Sequence, residues 1–491
     1  MKKITLSNLM MFFAIATAIA QDYTTPNTGV VWTLDDIAAA SPTTVTVSGN
    51  EYTLLGNLTV SENDTFIIDS DLTLLIDDGL RITIFGTFTV DSDEVMITAL
   101  DESSPYDGFR FEEGSDISIK NATITYGGGL RVLTEDFLIM GCTLSHNVSG
   151  TTSSAVIQLS RGTPQILNNT ISFNEHPAIG SAANSQVAAK IDGNHIEANN
   201  QANANRPQIN LGVSIPGVMT EIINNTIIGH PDNPRAGGIA LANFVGGVIY
   251  ANIAENTIQN NRFGIAILGG NADVNISFNV IEDNDIEGDP NLGGSGINVL
   301  SASSAGMDVT IVGNEIRRNL WGITLQDDAV VNLGDDEPNG GNNVFSENGN
   351  GGVTYALYNN TPNTIMAKNN CWIEGQESTA EDVEEVIFHS VDDPDLGEVI
   401  FEPFLCGITV GVEDHKFADF SFYPNPATEE INFNNTHLFE TVAIYGIKGN
   451  LIETRNIAAG QNVLNINLPT GLYLVKFSNE SGSVTKKLVV R

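Results

Sequence analysis

A short motif recurs along the central part of the chain, and this repeat constrains the fold more than any other feature. Each copy reads Asn-x-Ile or a close variant, with a second Asn three residues after the Ile. Successive copies lie about 20 to 35 residues apart, which is the length of one β-solenoid coil plus loops of variable length. Copies begin at Asn169, Asn194, Asn256, Asn279, Asn314 and Asn343, with looser copies at Asn121 and Asn225.

A second motif follows many copies and has the alternation of a β-strand. It reads Gly-Ile-x-Val or a close variant, starting at Gly129, Gly238, Gly264, Gly296 and Gly322. Asn and Ile two positions apart on a strand point the same way, so both are predicted to face the inside of the coil. The Ile side chains would stack into an apolar column, and the Asn side chains would hydrogen-bond along the axis. We predict that the Asn after each strand adopts the left-handed conformation that a tight corner needs.

These repeats resemble those of the parallel β-helix family found in pectate-lyase-like and other sugar-acting proteins. The resemblance covers roughly Asp116 to Trp372 and implies an all-β chain built on a right-handed parallel β-helix. That fold hosts lyases, hydrolases, isomerases, adhesins and inert scaffolds, so it does not define an activity. The interpreted divisions are 21–115 for the N-terminal cap and first coils, 116–375 for the repeats and 376–408 for the C-terminal cap.

Beyond a linker at 409–418, residues 419–491 have a different character. They open with Phe420-Ser-Phe-Tyr-Pro-Asn-Pro426, and strict alternation surrounds a Pro-x-Gly turn between Leu464 and Lys476. Several short strands over about 70 residues predict a small Ig-like β-sandwich. The motifs resemble the C-terminal sorting domain of the type IX secretion system. The resemblance implies the secretion machinery as a partner, a Bacteroidetes-type host, and a protein that is secreted or attached to the outer cell surface.

Residues 1–20 have the three parts of a secretory signal peptide. Lys2 and Lys3 form a basic start, an apolar stretch begins at Leu9, and Ala18-Ile-Ala20 is a cleavage site. The apolar stretch is too short to span a bilayer. We therefore expect cleavage after Ala20 and a mature protein without membrane insertion.

The charge of the chain limits its partners. The formal net charge is −39; residues 21–418, with 54 acidic and 13 basic residues, carry −41, whereas residues 419–491 are neutral. Such a field repels nucleic acid and anionic membranes, and both are excluded as partners. It also repels anionic polysaccharides unless divalent cations bridge the charges. Solubility outside the cell is the simpler explanation of the large negative charge.

Chemistry on this fold is expected on the outer face of a sheet, where an extended sugar chain lies in the enzymes of the family. The Gly-Ile-x-Val strands offer few suitable groups there, although a β-eliminating lyase needs a base and a cation to stabilise the developing enolate. Four of their five predicted outward residues are small and neutral. The five are Arg131, Ala240, Ala266, Asn298 and Thr324.

The strand of the Asn motif is richer in ionisable side chains. Glu282 and Arg317 hold equivalent positions in successive copies and are expected one ladder step apart, about 4.8 Å. A surface salt bridge is the simpler interpretation of that pair, and a solvated pair is the simpler interpretation of His195 beside Glu197. The catalytic candidates are His195, Glu197, Glu282, Glu315 and Arg317.

One acidic loop is the candidate Ca²⁺ site, because hard cations prefer several carboxylate oxygens. It lacks the regular ligand spacing of known Ca²⁺ loops, so a solvated acidic loop is the alternative. Its members are Asp327, Asp328, Asp335, Asp336 and Glu337.

Two functions therefore remain open from the sequence. The first is a non-catalytic β-helix that acts as a glycan-contacting or adhesive and structural module. Its support is the neutral outward row of Ala, Asn and Thr, which suits weak hydrogen bonding to sugars. The second is a polysaccharide lyase or glycoside hydrolase whose active site is built from loops.

The C-terminal cap generates the first testable prediction. A capping-box pattern at Ser378 and Glu381 predicts a short helix over 381–389. The segment would then return across the end of the solenoid and bring Cys406 close to Cys371. A disulfide there would close a loop of about 35 residues and stabilise the cap by about 3 to 4 kcal/mol.

Peptide mapping of the non-reduced protein tests this bridge. We expect a linked Cys371–Cys406 peptide, with Cys142 as a buried thiol in the inward position that Asn169 occupies in its own copy. Alkylation of both Cys371 and Cys406 without prior reduction would show that the bridge does not exist.

Overall fold

The computed structural model falls into two compact units, residues 1–406 and 407–491. The signal-peptide prediction and the whole predicted linker, 409–418, lie outside the residues that it describes. The described residues are 21–148, 150–151, 154–335, 339–405, 420–433, 439–446, 451–458, 460–469, 471–479 and 482–491.

The first unit is a parallel β-helix whose coils each contribute a strand to three faces in turn. In one coil the chain runs through Leu130–Val132 on sheet 1, Asp136–Met140 on sheet 2 and Thr143–Ser145 on sheet 3. Each strand pairs in parallel with the equivalent strand of the next coil. Two long strands, Thr87–Ala99 and Asp116–Thr125, belong to sheets 2 and 3 at once.

The strands of the three sheets have the following bounds. Sheet 1 contains Tyr23–Thr24, Leu58–Val60, Arg81–Ile84, Gly108–Phe111, Leu130–Val132, Ile157–Leu159, Ile179–Ser181, Ile209–Leu211, Ile239–Ala242, Ile265–Leu268, Ser295–Ser301, Trp321–Asp327, Leu357–Asn360 and Ile387–Phe388. Sheet 2 contains Val31–Trp32, Thr65–Ile68, the two long strands, Asp136–Met140, Gln165–Leu167, Lys190–Asp192, Thr220–Ile223, Ile249–Ala254, Ala272–Ser277, Met307–Val312, Asn332–Gly334, Ile365–Ala367 and Val399–Ile400. Sheet 3 contains Glu51–Leu54 with its antiparallel partner Val45–Ser48, Leu72–Ile76, the two long strands, Thr143–Ser145, Thr170–Ser172, His195–Glu197, Thr226–Ile228, Thr257–Gln259, Val280–Glu282, Glu315–Arg317 and Val344–Ser346.

The core is a set of apolar columns along the axis, as the repeat predicts. On sheet 3, the Ile of each motif is fully buried and lies directly over the Ile of the next coil. The first coils carry bulkier rings, with Phe66, Phe88 and Phe109 stacked at centroid distances of 5.1 and 5.9 Å. This stacking of like side chains makes the register of each coil depend on the register of its neighbours.

Two ladders of buried Asn side chains run parallel to the columns, which confirms the predicted axial hydrogen bonding. In the first, the Nδ2 of Asn225 donates to the Oδ1 of Asn256 at 3.0 Å, and the Nδ2 of Asn256 donates to the Oδ1 of Asn279 at 2.9 Å. The members of the first ladder are Asn169, Asn194, Asn225, Asn256, Asn279, Asn314, Asn343 and Asn370; those of the second are Asn147, Asn174, Asn199, Gln208, Asn261, Asn284, Asn319 and Asn348.

Gln208 stands in the second ladder because the coil of Thr226–Ile228 has no Asn at that corner. Its Oε1 accepts from the Nδ2 of Asn199 at 3.1 Å, and its Nε2 donates to the Oδ1 of Asn261 at 3.0 Å. In the first ladder, Cys142 occupies the Asn position of the coil before Asn169. Burial raises the pKa of its thiol to about 11. The predicted buried thiol is therefore confirmed.

The prediction for the left-handed corner residues was wrong by one position. The Asn of the second ladder keeps an ordinary backbone, and the residue before it has a positive φ, as at Phe173 (54°), Asp283 (56°) and Arg318 (52°). The ladder needs the Asn side chain to point inward with both amide groups bonded, so the sharp bend falls on its neighbour.

The N-terminal segment is fixed to the solenoid by one buried carboxylate. Helix α1, Leu34–Ala40, packs Leu34 and Ile37 into the core. The carboxylate of Asp64 accepts the backbone N–H groups of Asn27, Thr28 and Gly29 at 2.8 to 2.9 Å, and that of Val30 at 3.2 Å. Burial by itself would raise the pKa of Asp64, but these bonds and one with Thr25 leave it below its ordinary value.

At the other end, the capping box is displaced from the predicted position and the helix is shorter. Helix α2 is Ala380–Glu384, with Thr379 as its N-cap and Asp382 as the reciprocal partner. It ends early because Ile387–Phe388 pairs with sheet 1. The buried His389 follows: its Nδ1 accepts the N–H of Val399 at 2.9 Å and its Nε2 lies 2.6 Å from Glu384. Cys406 lies outside the described residues, so the disulfide stays a prediction.

The second unit is a small β-domain of two antiparallel sheets. One contains Phe422–Tyr423, Glu430–Phe433 and Val463–Asn465; the other contains Leu451–Asn456, Thr441–Gly446, Gly471–Asn479 and Gly482–Val490. Buried phenylalanines form much of its core. Asn425 of the Tyr-Pro-Asn-Pro motif covers the edge strand, because its Nδ2 donates to the carbonyl of Lys487 and its Oδ1 accepts from the N–H of Val489, both at 2.8 Å.

The columns generate a prediction about two neighbouring residues of one strand. Ile258→Asp places an unpaired carboxylate in the buried column and should destabilise the solenoid by more than about 4 kcal/mol. Thr257→Asp is the matched control, because Thr257 points outward from the same strand. Thermal unfolding followed by circular dichroism measures both. Equal melting temperatures for the two variants would contradict the register.

The clamp formed by Asp64 predicts a dependence on pH. A carboxyl group whose pKa is lowered by folding stabilises the protein fully above its unfolded pKa of about 3.9, and that contribution is lost as the pH falls through the folded value. We expect the N-terminal segment to detach below about pH 4, detected through the fluorescence of Trp32. In Asp64→Asn the N-terminal segment should already be detached at pH 7, and the variant should lose about 2 kcal/mol of unfolding free energy. If the fluorescence of wild type and variant changes identically with falling pH, Asp64 does not have this role.

Candidate functional site

The outer face of sheet 1 carries one continuous row of residues in register. The row passes through every outward residue predicted for the Gly-Ile-x-Val strands and extends beyond them in both directions. Ala240 and Ala266 are only 4% and 5% exposed, although they are not part of the apolar core. The row is Thr83, Arg110, Arg131, Gln158, Gly180, Asn210, Ala240, Ala266, Asn298, Thr324, Tyr358 and Phe388.

Aromatic rings gather where this row approaches the C-terminal coils. The rings of Tyr358 and Phe388 stack at 4.6 Å with an angle of 8° between their planes. Trp321 contacts Tyr355 at 4.7 Å and Tyr358 at 5.0 Å. The floor of small side chains therefore ends at a wall of rings, which we call the aromatic wall (Trp321, Tyr355, Tyr358 and Phe388).

A cleft of about 450 Å³ lies between the aromatic wall and the loop that precedes Ser295. On its floor, the hydroxyl groups of Ser295 and Thr324 are 2.9 Å apart. The Oδ1 of Asn298 is buried and has no hydrogen-bond partner among the described residues. The lining residues are Pro290, Asn291, Leu292, Gly293, Ser295, Asn298, Trp321, Thr324, Gln326 and Tyr358.

The loop side of the cleft is held by a nearly buried ion pair. Arg262 pairs with Glu287, and their side chains are 10% and 17% exposed. The guanidinium of Arg262 also donates to the carbonyl of Leu292, while the Nε1 of Trp321 donates to the carbonyl of Pro290 at 3.0 Å. Both contacts fix the backbone that faces the rings.

The electrostatic environment of the aromatic wall is acidic. Burial raises the pKa of the Tyr358 hydroxyl, and Tyr355, Asp393 and Asp392 raise it further. None of the described residues that line the cleft carries a formal charge at neutral pH. The cleft thus offers rings, hydroxyl groups and amides to a ligand.

The catalytic candidates lie on sheet 3, away from this face. His195 and Glu197 contact each other, with Nε2 and Oε2 2.9 Å apart. Glu197 is in register with Ile228, Gln259 and then Glu282, so three ladder steps, about 14 Å, separate the two glutamates. The structure does not bring the candidates together in one site.

Glu282 and Arg317 are register neighbours, as predicted, but they do not form the predicted ion pair. Glu282 pairs with Arg318 at 2.7 Å. Arg317 turns to Glu315 and binds Glu374 through two bonds of 2.6 and 2.8 Å. The bonds with Glu374 raise the pKa of Arg317 and lower that of the carboxyl group. Two bonds to one carboxylate outweigh a single contact across the ladder.

The predicted Ca²⁺ ligands are divided between two places. Asp327 ends a sheet 1 strand and Asp328 follows it, whereas Asp335 lies beyond the next strand, Asn332–Gly334. The carboxylate of Asp335 accepts from Asn332 and from the backbone of Asn339. No group of three or more His, Cys, Asp and Glu side chains in the described part of the chain is arranged to hold a metal. Asp336 and Glu337 lie outside that part, and Ca²⁺ binding stays a prediction.

The repeat motif did not reveal the aromatic wall. Trp321 precedes the Gly that opens its motif, and Tyr358 belongs to a coil in which Ala356 replaces that Gly. Ala356-Leu357-Tyr358-Asn359 matches the strand pattern once Ala is accepted at the first position and Asn at the last. The signal was therefore present in the sequence as a degenerate copy of the motif.

Two family models match separate parts of the chain. Residues 43–206 match the right handed beta helix region, and residues 421–491 match the secretion system C-terminal sorting domain. No curated protein sequence matches the chain.

Among solved structures, a periplasmic alginate epimerase shows 14% identity and a TM-score of 0.42, over 76% of this chain and 83% of its own. An Azotobacter vinelandii mannuronan C-5 epimerase A-module shows 12% identity and a TM-score of 0.27, over 73% and 89%. Likenesses this distant carry no argument about activity.

Fold and family matches together define a right-handed parallel β-helix protein with a C-terminal sorting domain. It is a secreted or surface-attached protein, and its sorting domain implies interaction with the type IX secretion machinery. In the described residues, neither helix is long and apolar enough to cross a membrane.

Proposed function

We propose that the protein is a non-catalytic glycan-contacting module and that the cleft beside the aromatic wall is its binding site. The observation that carries the proposal is the combination of half-buried rings that line the cleft with an unpaired amide oxygen. Trp321 and Tyr358 supply flat apolar faces, and Asn298 supplies an acceptor that a sugar hydroxyl would satisfy.

The small residues of the sheet 1 row support an extended ligand. Ala240, Ala266 and Asn298 follow one another at the ladder spacing of about 4.8 Å, and because none of them is a long side chain we take this row as the path of the ligand toward the rings. A chain of sugars would lie along the path with one unit against Trp321. Adhesion to an extracellular polysaccharide fits a protein outside the cell.

A polysaccharide lyase or glycoside hydrolase is the alternative. The contact between His195 and Glu197 is the observation in its favour, because a His beside a carboxylate is a common acid/base arrangement. That pair lies on sheet 3, so an enzyme would use a different face from the cleft.

Trp321→Ala should weaken binding to a retained polysaccharide about tenfold or more, because about 1.4 kcal/mol of ring contact is removed. Affinity electrophoresis of the full secreted chain through gels containing xylan, glucomannan, pectin or alginate measures this. Trp321→Phe should retain most of the binding because it keeps a ring. A small loss is expected because the bond to the carbonyl of Pro290 is missing. Phe244→Ala is the control, because Phe244 is a 65% exposed ring outside the cleft.

Two results would oppose the proposal. If Trp321→Ala and Phe244→Ala migrate like the wild type in every gel that retards it, the cleft is not the binding site. Release of reducing or unsaturated ends from any of these polysaccharides, abolished by His195→Ala, would favour the enzyme.

A further inference from the structure

We infer that the cleft selects uncharged, hydroxyl-rich glycans and discriminates against uronic-acid chains. This inference rests on the proposed function and adds the class of ligand. Its basis is that the lining contains no basic side chain, that its unpaired acceptor needs a donor, and that the surroundings of the cleft are acidic.

A carboxylate needs a cation or several N–H donors when it enters a site, because its desolvation is costly. The lining residues supply none of the basic side chains that would serve this purpose. Arg262 contacts the carbonyl of the lining residue Leu292 from behind, and its charge is already paired with Glu287. An acidic sugar would therefore enter without a counter-charge.

The unpaired group in the cleft also has the wrong polarity for a carboxylate. The Oδ1 of Asn298 is an acceptor, so it requires a donor from the ligand. A sugar hydroxyl provides one, whereas an ionised carboxylate that takes the place of that hydroxyl has only acceptors. The hydroxyl groups of Ser295 and Thr324 bond to each other, and each can also donate to or accept from a hydroxyl group of the ligand.

Surrounding charge acts in the same direction. Asp392 and Asp393 are exposed and act on the Tyr358 hydroxyl at the end of the cleft. Residues 21–418 carry a formal charge of −41 in total, so a polyuronate meets repulsion along its whole length. A neutral chain does not meet it.

Calorimetric titration of the full secreted chain with oligosaccharides of equal length tests the inference. The neutral probes are cellohexaose, xylohexaose and mannohexaose; the acidic probes are hexagalacturonate and hexamannuronate, all in EDTA at about 0.15 M salt. We expect at least one neutral probe to bind about tenfold or more tightly than either acidic probe. Its affinity should not change with salt and should fall in Trp321→Ala.

A charge-addition variant provides the converse measurement. Gln326→Lys places a cation in the lining and should raise the ratio of the affinity for hexagalacturonate to that for the neutral probe about fivefold or more. Asn224→Lys, on another face of the solenoid, adds the same charge and is the control. It should leave both affinities unchanged.

The outcomes separate this inference from the proposed function. Acidic probes that bind as tightly as the neutral ones, and lose affinity in Trp321→Ala, would overturn the selectivity while leaving the cleft as a glycan site. Absence of binding by every probe, or binding that Trp321→Ala does not change, would overturn the proposed function itself.

Discussion

Hydrogen bonds between buried amides of successive coils are the interaction on which the rest of this structure depends. Most ladder Asn residues, such as Asn256, accept from two N–H groups of one neighbour and donate to the next, so a single displaced coil would leave several buried groups unpaired. The ladders fix the corners of the coils between Asn147 and Asn370. The Ile columns and the outward row of sheet 1 follow from those fixed corners, because every strand starts in the same register.

The repeat was sufficient to predict this frame because its physics is local and repeated. Asn and Ile two positions apart leave one inward face, and the arrangement is copied from coil to coil. The inward Cys142 and the outward residues Arg131, Ala240, Ala266, Asn298 and Thr324 followed from the same alternation. The left-handed corner was misplaced by one residue, since the pattern marks where a side chain is buried but not which peptide unit bends.

Partners outside the repeat were harder to predict from the sequence. Arg317 binds Glu374, 57 residues away, and no spacing rule connects the two. The cleft depends on Trp321, on the loop held by Arg262 and on a coil with an altered motif. Such contacts are formed by loops of unequal length, so the fold was predictable while the surface that defines the candidate site was only partly so.

Gln208 shows how the sequence of such a solenoid can diverge while the ladder of amides is kept. The second ladder continues through it although the coil supplies no Asn, and the substitute amide comes from the loop that precedes a different sheet. The corner therefore requires a side-chain amide at a defined point in space, and that amide need not come from the Asn of the repeat. A coil can drift away from the repeat, and acquire new loops on its outer face, as long as some side chain completes the chain of amides through it.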